Sequence, residues 1–365
     1  MKIGIPLETR PGETRVASTP DVVKKLIGKG FDILVESGAG TRAGYPDAEY
    51  EQAGARLTDR AGAYDVDLLL KVRRPDESDV AQMRSGGLFI GLLESCGEDA
   101  LVASMLAKNI RVLGMERMPR TSRAQSMDAL SSQSNIAGYR ATLEAAARYG
   151  RFLPMMMTSA GSAKPARVVV LGAGVAGLQA IATARRLGAD VHAYDVRPET
   201  REQILSLGAK PIDLDLGESG AGEGGYAKEL SDEAKARQQA ALSDELAKAH
   251  VIITTALIPC RPAPVLVTEA VVARMRPGSV IVDLAAANGG NCPLTVADEI
   301  VERHGVTIVG LTNFPALVPA DASAFYARNL MNLIEIMVEL GESGPQLKNL
   351  DEDDITAAML ARASV

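Results

Sequence analysis

Hydrophobic and polar positions alternate along the chain in two rounds. Up to about residue 115, short β-branched runs at 2–6, 31–36, 67–72, 88–93 and 111–114 are interleaved with segments whose apolar positions recur at helical spacing, at 19–28 and 98–108. That order predicts a parallel sheet covered by helices. A second round has strands predicted at 167–171, 191–195, 212–216, 251–256, 279–284 and 306–310. Between the rounds lies SSQSNIAGYRATLEAAARY (131–149), an Ala-rich helical stretch, and a further apolar helix is predicted at 322–340. Both read as connectors. The polar, acidic residues that follow, to 365, either cap the first domain or trail as a tail.

Composition narrows the class. A chain of 365 residues supports two domains, and 47% hydrophobic with 23% charged residues is a globular balance, unlike that of a disordered, fibrous or coiled-coil chain. Lys plus Arg total 39 against 46 Asp plus Glu, a net charge of -7 with no basic patch, so no nucleic-acid partner is expected. Cys96, Cys260 and Cys292 form no CxxC pair, and the opening MKIGIP lacks a basic-then-apolar signal region, which together fit a reducing cytoplasm. His192, His250 and His304 stand at no metal-ligand spacing, and no metal is expected. The most apolar stretch, VVVLGAGVAGL, is about half of the roughly 20 residues a spanning helix needs.

The most informative segment is RVVVLGAGVAGLQAIATARRLGADVHAYD. It sets Gly172, Gly174 and Gly177 in G-x-G-x-x-G register directly after a strand and at the start of a helix. Gly172 permits the tight turn, Gly174 lets the backbone approach a pyrophosphate, Gly177 allows close helix–strand packing, and the helix N-terminus offers N–H groups to the anion. Asp195, 18 residues beyond Gly177, stands where an acidic side chain hydrogen-bonds a ribose 2′-hydroxyl and repels a 2′-phosphate. NAD(H) is the expected cofactor, with Arg197 the residue that would soften the preference. The expected architecture is α/β. It comprises two Rossmann-like domains, each a mostly parallel sheet with helices on both faces, joined by long helices, with residues 1–130 plus 318–365 as the N-terminal domain and 131–317 as the NAD(H)-binding one.

Two other stretches stand out. GESGAGEGGY (217–226) is flexible and long enough for a lid, or is a solvated loop. MPRTSRAQSMDALSSQSN (118–135) crowds Arg120, Arg123, Gln125, Asp128, Ser131 and Gln133 together near the expected domain junction. These are groups suited to orienting a nicotinamide carboxamide and ribose, or to capping a helix.

With IGIPLETRPGETRVASTPDVV, TTALIPCRPAPVLVT and VDLAAANGGNCPLT, these motifs make nearly the whole chain resemble the NAD(H)-binding α subunits (domain I) of proton-translocating NAD(P)+ transhydrogenases. The resemblance implies a subunit, homodimeric and peripheral at the inner (plasma) membrane, that passes a hydride between NADH and NADP+ held on a β subunit, with membrane subunits coupling the exchange to proton movement. It assigns nicotinamide-side contacts to Arg120, Gln125, Asp128 and Ser131, with Gln125 nearest the transfer. It assigns Val175 and the three glycines to the pyrophosphate, and Asp195, Val196 and Arg197 to the adenosine. Gly225 and Tyr226 become a mobile loop, and Gln238 and Leu257 line the adenine and nicotinamide sides.

Alanine dehydrogenases are also similar, sharing Arg15 in ETRVA and Lys71 in LLLKV, the positions that family uses for substrate. Oxidising an amine takes a proton as well as a hydride. That family's histidine near 92–94 and its aspartate at the position of Ala287 are both missing here. Arg15 and Lys71 are then expected to be structural ion-pair partners. A non-catalytic NAD-binding module is the remaining alternative.

Overall fold

A computed structural model describes residues 1–97, 99–214, 231–342 and 344–362. The glycine-rich stretch 217–226, with Gly225 and Tyr226, lies outside the described residues. The chain divides into two compact units, residues 1–133 with 315–365, and residues 134–314.

In the first unit, strands β1 (Lys2–Ile5), β2 (Asp32–Glu36), β3 (Arg56–Thr58), β4 (Leu68–Leu70), β5 (Leu88–Gly91) and β6 (Arg111–Gly114) form one parallel sheet in the order β3-β2-β1-β4-β5-β6. Helices α1 (Pro20–Gly28), α2 (Asp47–Gln52), α3 (Arg60–Tyr64), α4 (Glu77–Gln82) and α5 (Ala100–Ala107) connect them. Successive strand residues point to opposite faces. Leu68, Leu70 and Ile90 enter one core, and Leu69 and Phe89 enter another with Tyr64 and Met105. Burial on both faces is why these strands read as continuous apolar runs. Strand β3, RLT, escaped the pattern because it is three residues long and none is fully buried.

Helix α6 (Ala129–Arg148) gives its first residues to the first unit and the rest to the second. An exposed hairpin, β7 (Met156–Thr158) with β8 (Gly161–Ala163), comes next. The second sheet contains β9 (Arg167–Leu171), β10 (Asp190–Tyr194), β11 (Lys210–Pro211), β12 (Val251–Thr254), β13 (Val280–Asp283), β14 (Ile300–Arg303) and β15 (Val306–Val309), in the order β11-β10-β9-β12-β13-β15-β14. All pairs are parallel except β14 with β15. Helices α7 (Val175–Arg186), α8 (Thr200–Ser206), α9 (Asp232–Ala247) and α10 (Glu269–Arg274) belong to this unit. The strand expected at 212–216 is displaced to β11: Pro211 has no N–H to donate, and pairing ends with Ile212 N donating to Ala193 O at 2.7 Å.

The chain returns to the first unit as α11 (Pro319–Met337), a hairpin of β16 (Val338–Gly341) and β17 (Gly344–Leu347), and α12 (Asp354–Met359). The apolar helix thus stops at Met337, short of the expected 340. The final segment caps the first unit: Leu350, Ile355 and Met359 join its core, and Ala361 N donates to Val112 O at 2.8 Å beside β6. Among the described residues no helix is long and apolar enough to cross a membrane.

Candidate functional site

In each unit the strand order reverses beside its first strand, at β1/β4 and at β9/β12. Ligands of open α/β sheets bind outside the carboxyl ends of the strands at such points.

In the second unit this place is the turn from β9 into α7. Gly172 sits at φ +95, and a Cβ there would lie 2.5 Å from Thr255 Oγ1; at Gly177 a Cβ would lie 1.8 Å from the Gly172 carbonyl oxygen. Both glycines are demanded by the protein's own packing. Gly174 is different. Its φ of -78 suits any residue, and the only atom that a Cβ would find within 4 Å is Arg197 Nη2, at 3.9 Å. Nothing in the fold requires a glycine there, so the open space is a cradle kept for something outside the chain. Gly174 is also the N-cap of α7, where no side chain caps the helix and no acidic residue occupies the first turn. Its first N–H groups and the positive end of its dipole are left for an anion, which fits a dinucleotide's pyrophosphate. Val175, the first helical residue, is exposed.

Asp195 follows β10. Its Oδ2 accepts from Ala173 N at 2.6 Å and from Arg197 Nη2 at 2.8 Å; its Oδ1 accepts from Arg197 N and Nε, each at 2.9 Å. These bonds and the Asp195 charge push the Arg197 guanidinium up. Val196 is half-buried and packs against Ala234 of α9. Gln238 is buried on α9 and donates to Tyr194 OH at 3.0 Å, beneath the end of β10. Leu257 is exposed on the loop after β12.

That loop has an organiser that no sequence motif marks. Asn291 is fully buried; its Oδ1 accepts from Ala256 N at 3.1 Å, and its Nδ2 donates to Ala256 O at 2.9 Å and Pro264 O at 2.8 Å. Asp283, also buried, accepts from Thr254 Oγ1 at 2.9 Å, Thr295 Oγ1 at 2.8 Å and Cys292 N at 3.2 Å. The only visible signal is GGN shortly after a strand that ends in Asp.

In the first unit, residues Ser122–Met127 form a 3-10 helix followed by Asp128. Asp128 caps α6: its Oδ1 accepts from Ser131 N at 2.9 Å and its Oδ2 from Ser131 Oγ at 2.5 Å. Gln125 and Arg120 are exposed. Asn329 and Asn332 of α11 both donate to Ser126 O, at 2.9 and 3.0 Å, and Ser132 Oγ donates to Asn329 Oδ1 at 2.6 Å. Arg123 is held by Asp353, at 2.8 Å to each oxygen, and by Asp354. The turn is therefore fastened from α11 and from the start of α12.

The switch point of this unit is closed by charge. Arg15 donates through Nε and Nη2 to both oxygens of Glu13, each at 2.7 Å, and through Nη1 to Gln133 Oε1 at 2.7 Å. Burial favours a neutral Glu13, but the hydrogen bonds and charge of Arg15 outweigh it and hold the carboxyl at about 2. Lys71 Nζ lies 3.1 Å from Asp79 Oδ2, 3.4 Å from Tyr64 OH and 3.6 Å from Glu8 Oε2. Glu8 is raised, chiefly by burial. Glu94 is ion-paired with Arg10 and Arg73. Arg15 and Lys71 are thus structural ion-pair partners.

The histidines are occupied away from both places. His192 lies 3.2 Å from Asp190 Oδ2, His250 Nδ1 accepts from Arg167 N at 2.9 Å, and His304 lies 3.1 Å from Glu269 Oε1. Burial lowers His192 and His250. Among the described residues no cluster of metal ligands exists.

Comparison with known proteins agrees with this geometry. Residues 4–137 match the family described as alanine dehydrogenase/PNT, N-terminal domain, and residues 141–363 match its C-terminal domain. The chain belongs to the alanine dehydrogenase/PNT family. Within this family it is 48% identical to the first of the polypeptides that make up NAD(P) transhydrogenase subunit alpha in Rhodospirillum rubrum, over 99% of this chain and 96% of that protein. The transhydrogenase structure from Sinorhizobium meliloti superposes with a TM-score of 0.88 at 46% identity, covering 99% of this chain and 98% of that one. An L-alanine dehydrogenase structure superposes with a TM-score of 0.80 at 26% identity, covering 99% and 94%, which makes it a more distant relative.

Proposed function

We propose that this chain binds NAD(H) in its second unit and exchanges a hydride with NADP(H) held by another polypeptide, as one subunit of a proton-translocating transhydrogenase. The observation that carries this reading over an amino-acid dehydrogenase is the condition of Arg15 and Lys71. A substrate carboxylate needs a guanidinium with free donors, and Arg15 already spends three of its nitrogens on Glu13 and Gln133.

A bound nicotinamide coenzyme supplies the hydride. The turn at Gly172, Gly174 and Val175 and the N–H groups of α7 take the pyrophosphate, with Gly177 keeping the turn closed. Asp195 accepts from the adenosine ribose, flanked by Val196 and Arg197, with Gln238 supporting the adenine side through Tyr194. Arg120 and Gln125 orient the nicotinamide, Gln125 nearest the transfer, while Asp128 and Ser131 hold the turn that carries them. Leu257 contributes an apolar wall that excludes water. The lid role of Gly225 and Tyr226 belongs to this proposal as well. Passing a hydride between two nicotinamides changes no amine, alcohol or carbonyl, so the chain needs no general base beside the ring, and its three histidines are engaged elsewhere.

The second coenzyme requires a second chain, because one G-x-G-x-x-G with full context is present here. That partner is an NADP(H)-binding β subunit, with membrane subunits that place this chain at the cytoplasmic face of the inner membrane. The hairpin of β7 and β8, where Met155 and Met157 are 64% and 74% exposed, supports a homodimer in which a second copy covers it.

The test is reconstitution. With an NADP(H)-binding partner, the chain is expected to pass hydride from NADPH to an NAD+ analogue whose reduced form absorbs at its own wavelength. Alone, it is expected to turn over neither alanine nor pyruvate with ammonia. Deamination of alanine by the chain alone overturns the proposal.

A further inference from the structure

Asp195 is saturated in a way that bears on which coenzyme the cradle accepts. A carboxylate offers about four acceptor positions, and here Ala173 N, Arg197 N, Arg197 Nε and Arg197 Nη2 fill them, two on each oxygen. Two of these donors are backbone N–H groups fixed by the turn and by β10, and the other two belong to one movable side chain. The Arg197 guanidinium is mostly buried, and its Nη2 stands 3.9 Å from where a Cβ on Gly174 would be, at the mouth of the cradle. A guanidinium at the end of the second strand of a dinucleotide-binding fold is the group that accommodates a 2′-phosphate.

Resting on the NAD(H) reading above, we propose that Arg197 is a latent 2′-phosphate receptor, and that Asp195 excludes NADP(H) by holding this guanidinium in a two-pronged ion pair as well as by its own charge. The carboxylate then serves twice. It turns the one suitably placed cation inward, and it presents a ribose hydroxyl with an acceptor when the Arg197 side chain gives way. Repulsion alone would make Arg197 irrelevant to the choice between coenzymes; capture of the cation makes it decisive once Asp195 is neutralised.

Asp195→Asn separates the two. An asparagine has one acceptor oxygen, enough for the backbone donors, and its NH2 cannot accept from the guanidinium, so Arg197 is released without loss of shape. The experiment is a double-mutant cycle on the full chain with Asp195→Asn, Arg197→Met and both together, reading NADPH and NADH affinity by nucleotide fluorescence, with thermal melting to verify folding. Asp195→Asn is expected to tighten NADPH binding roughly ten- to a hundredfold more when Arg197 is present than when it is methionine, the range of a charge-assisted hydrogen bond or two. Asp195→Ser, whose hydroxyl still accepts from Ala173 N, gives the same comparison should the asparagine variant unfold. Equal gains in both backgrounds, or no gain at all in a chain that still binds NADH, overturn the role of Arg197 and leave the NAD(H) reading standing. A wild-type chain that binds no NADH overturns both.

Discussion

Gly174 and Gly177 are three residues apart in one turn, and the structure predicts opposite consequences for the same added methyl. At Gly177 the new Cβ would be 1.8 Å from a backbone carbonyl oxygen, that of Gly172, which cannot swing aside as a side chain can. Overpacking of this kind costs about 1–3 kcal/mol, and two backbone segments forced apart belong at or above the upper end. For a unit of this size that lowers the melting temperature by roughly 2–4 °C per kcal/mol. At Gly174 the Cβ would project into open space, with its nearest neighbour 3.9 Å away, from a φ that alanine adopts freely. The only structural loss is an N-cap preference for glycine over alanine, about 1 kcal/mol or less.

Binding separates the two variants. The methyl of Gly174→Ala stands where a pyrophosphate would meet the N–H groups of α7. Losing one charge-assisted hydrogen bond there weakens NADH binding roughly ten- to a hundredfold. The assay pairs NADH fluorescence titration with thermal melting. Gly174→Ala is expected to melt near the wild type and bind poorly, and Gly177→Ala is expected to melt early. A Gly174→Ala chain with unaltered NADH affinity refutes the assignment of the cradle, however its stability changes.

Asn329→Leu with Asn332→Leu removes both donors from Ser126 O; hydride exchange with the partner should slow about tenfold or more while NADH affinity in the second unit stays within about twofold, and equal losses in both refute the fastening role. Arg15→Met leaves the buried Glu13 without its main partner and should cost about 3–5 kcal/mol in urea unfolding at pH 7. In the wild type Glu13 is depressed to about 2, so its contribution is present above about pH 4.5 and fades as pH falls towards 2; in the variant the carboxyl is raised instead, so the gap between the two chains should narrow at pH 4, and a constant gap contradicts the pairing. Burial pushes the Cys292 thiol up to about 11, so at pH 8 the native chain should leave it unalkylated by mass mapping, and rapid labelling without unfolding would refute its placement.

The strands that the sequence made legible are those buried on both faces. β9, RVVVL, and β6, RVLG, coincide with the expected runs because every residue after the arginine must be apolar. The elements that escaped lack that constraint: β14, IVER, is an exposed antiparallel edge, β7 is exposed throughout, and β11 is cut to two residues by a proline. At the candidate site, Gly172, Gly174, Gly177 and Asp195 were readable because their spacing is set by a turn and one strand–helix–strand unit. Asn291, Asn329 and Asn332 were not, since each acts on backbone groups 35, 203 and 206 residues away. No local pattern encodes such a distance. The Arg197–Asp195 pair lay between these cases: adjacency was visible, but which oxygen accepts from which nitrogen was not.

The two switch points, each described within its own unit, explain how one fold can leave one chemistry for another with few changes. At β9/β12 the protein keeps space that it does not need for its own packing, at Gly174. At β1/β4 it does the reverse, and fills the ligand position with its own carboxylates, Glu13 on Arg15 and Asp79 with Glu8 on Lys71. Burying those charges is not in itself stabilising compared with apolar side chains of the same size. Removing either cation alone, however, would strand a buried carboxylate, so the arginine and lysine persist without a substrate to hold. Replacing Glu13 and Arg15 together by apolar residues should therefore cost less than replacing Arg15 alone. That inequality is what an internal pair requires, and a guanidinium retained to bind substrate would not produce it.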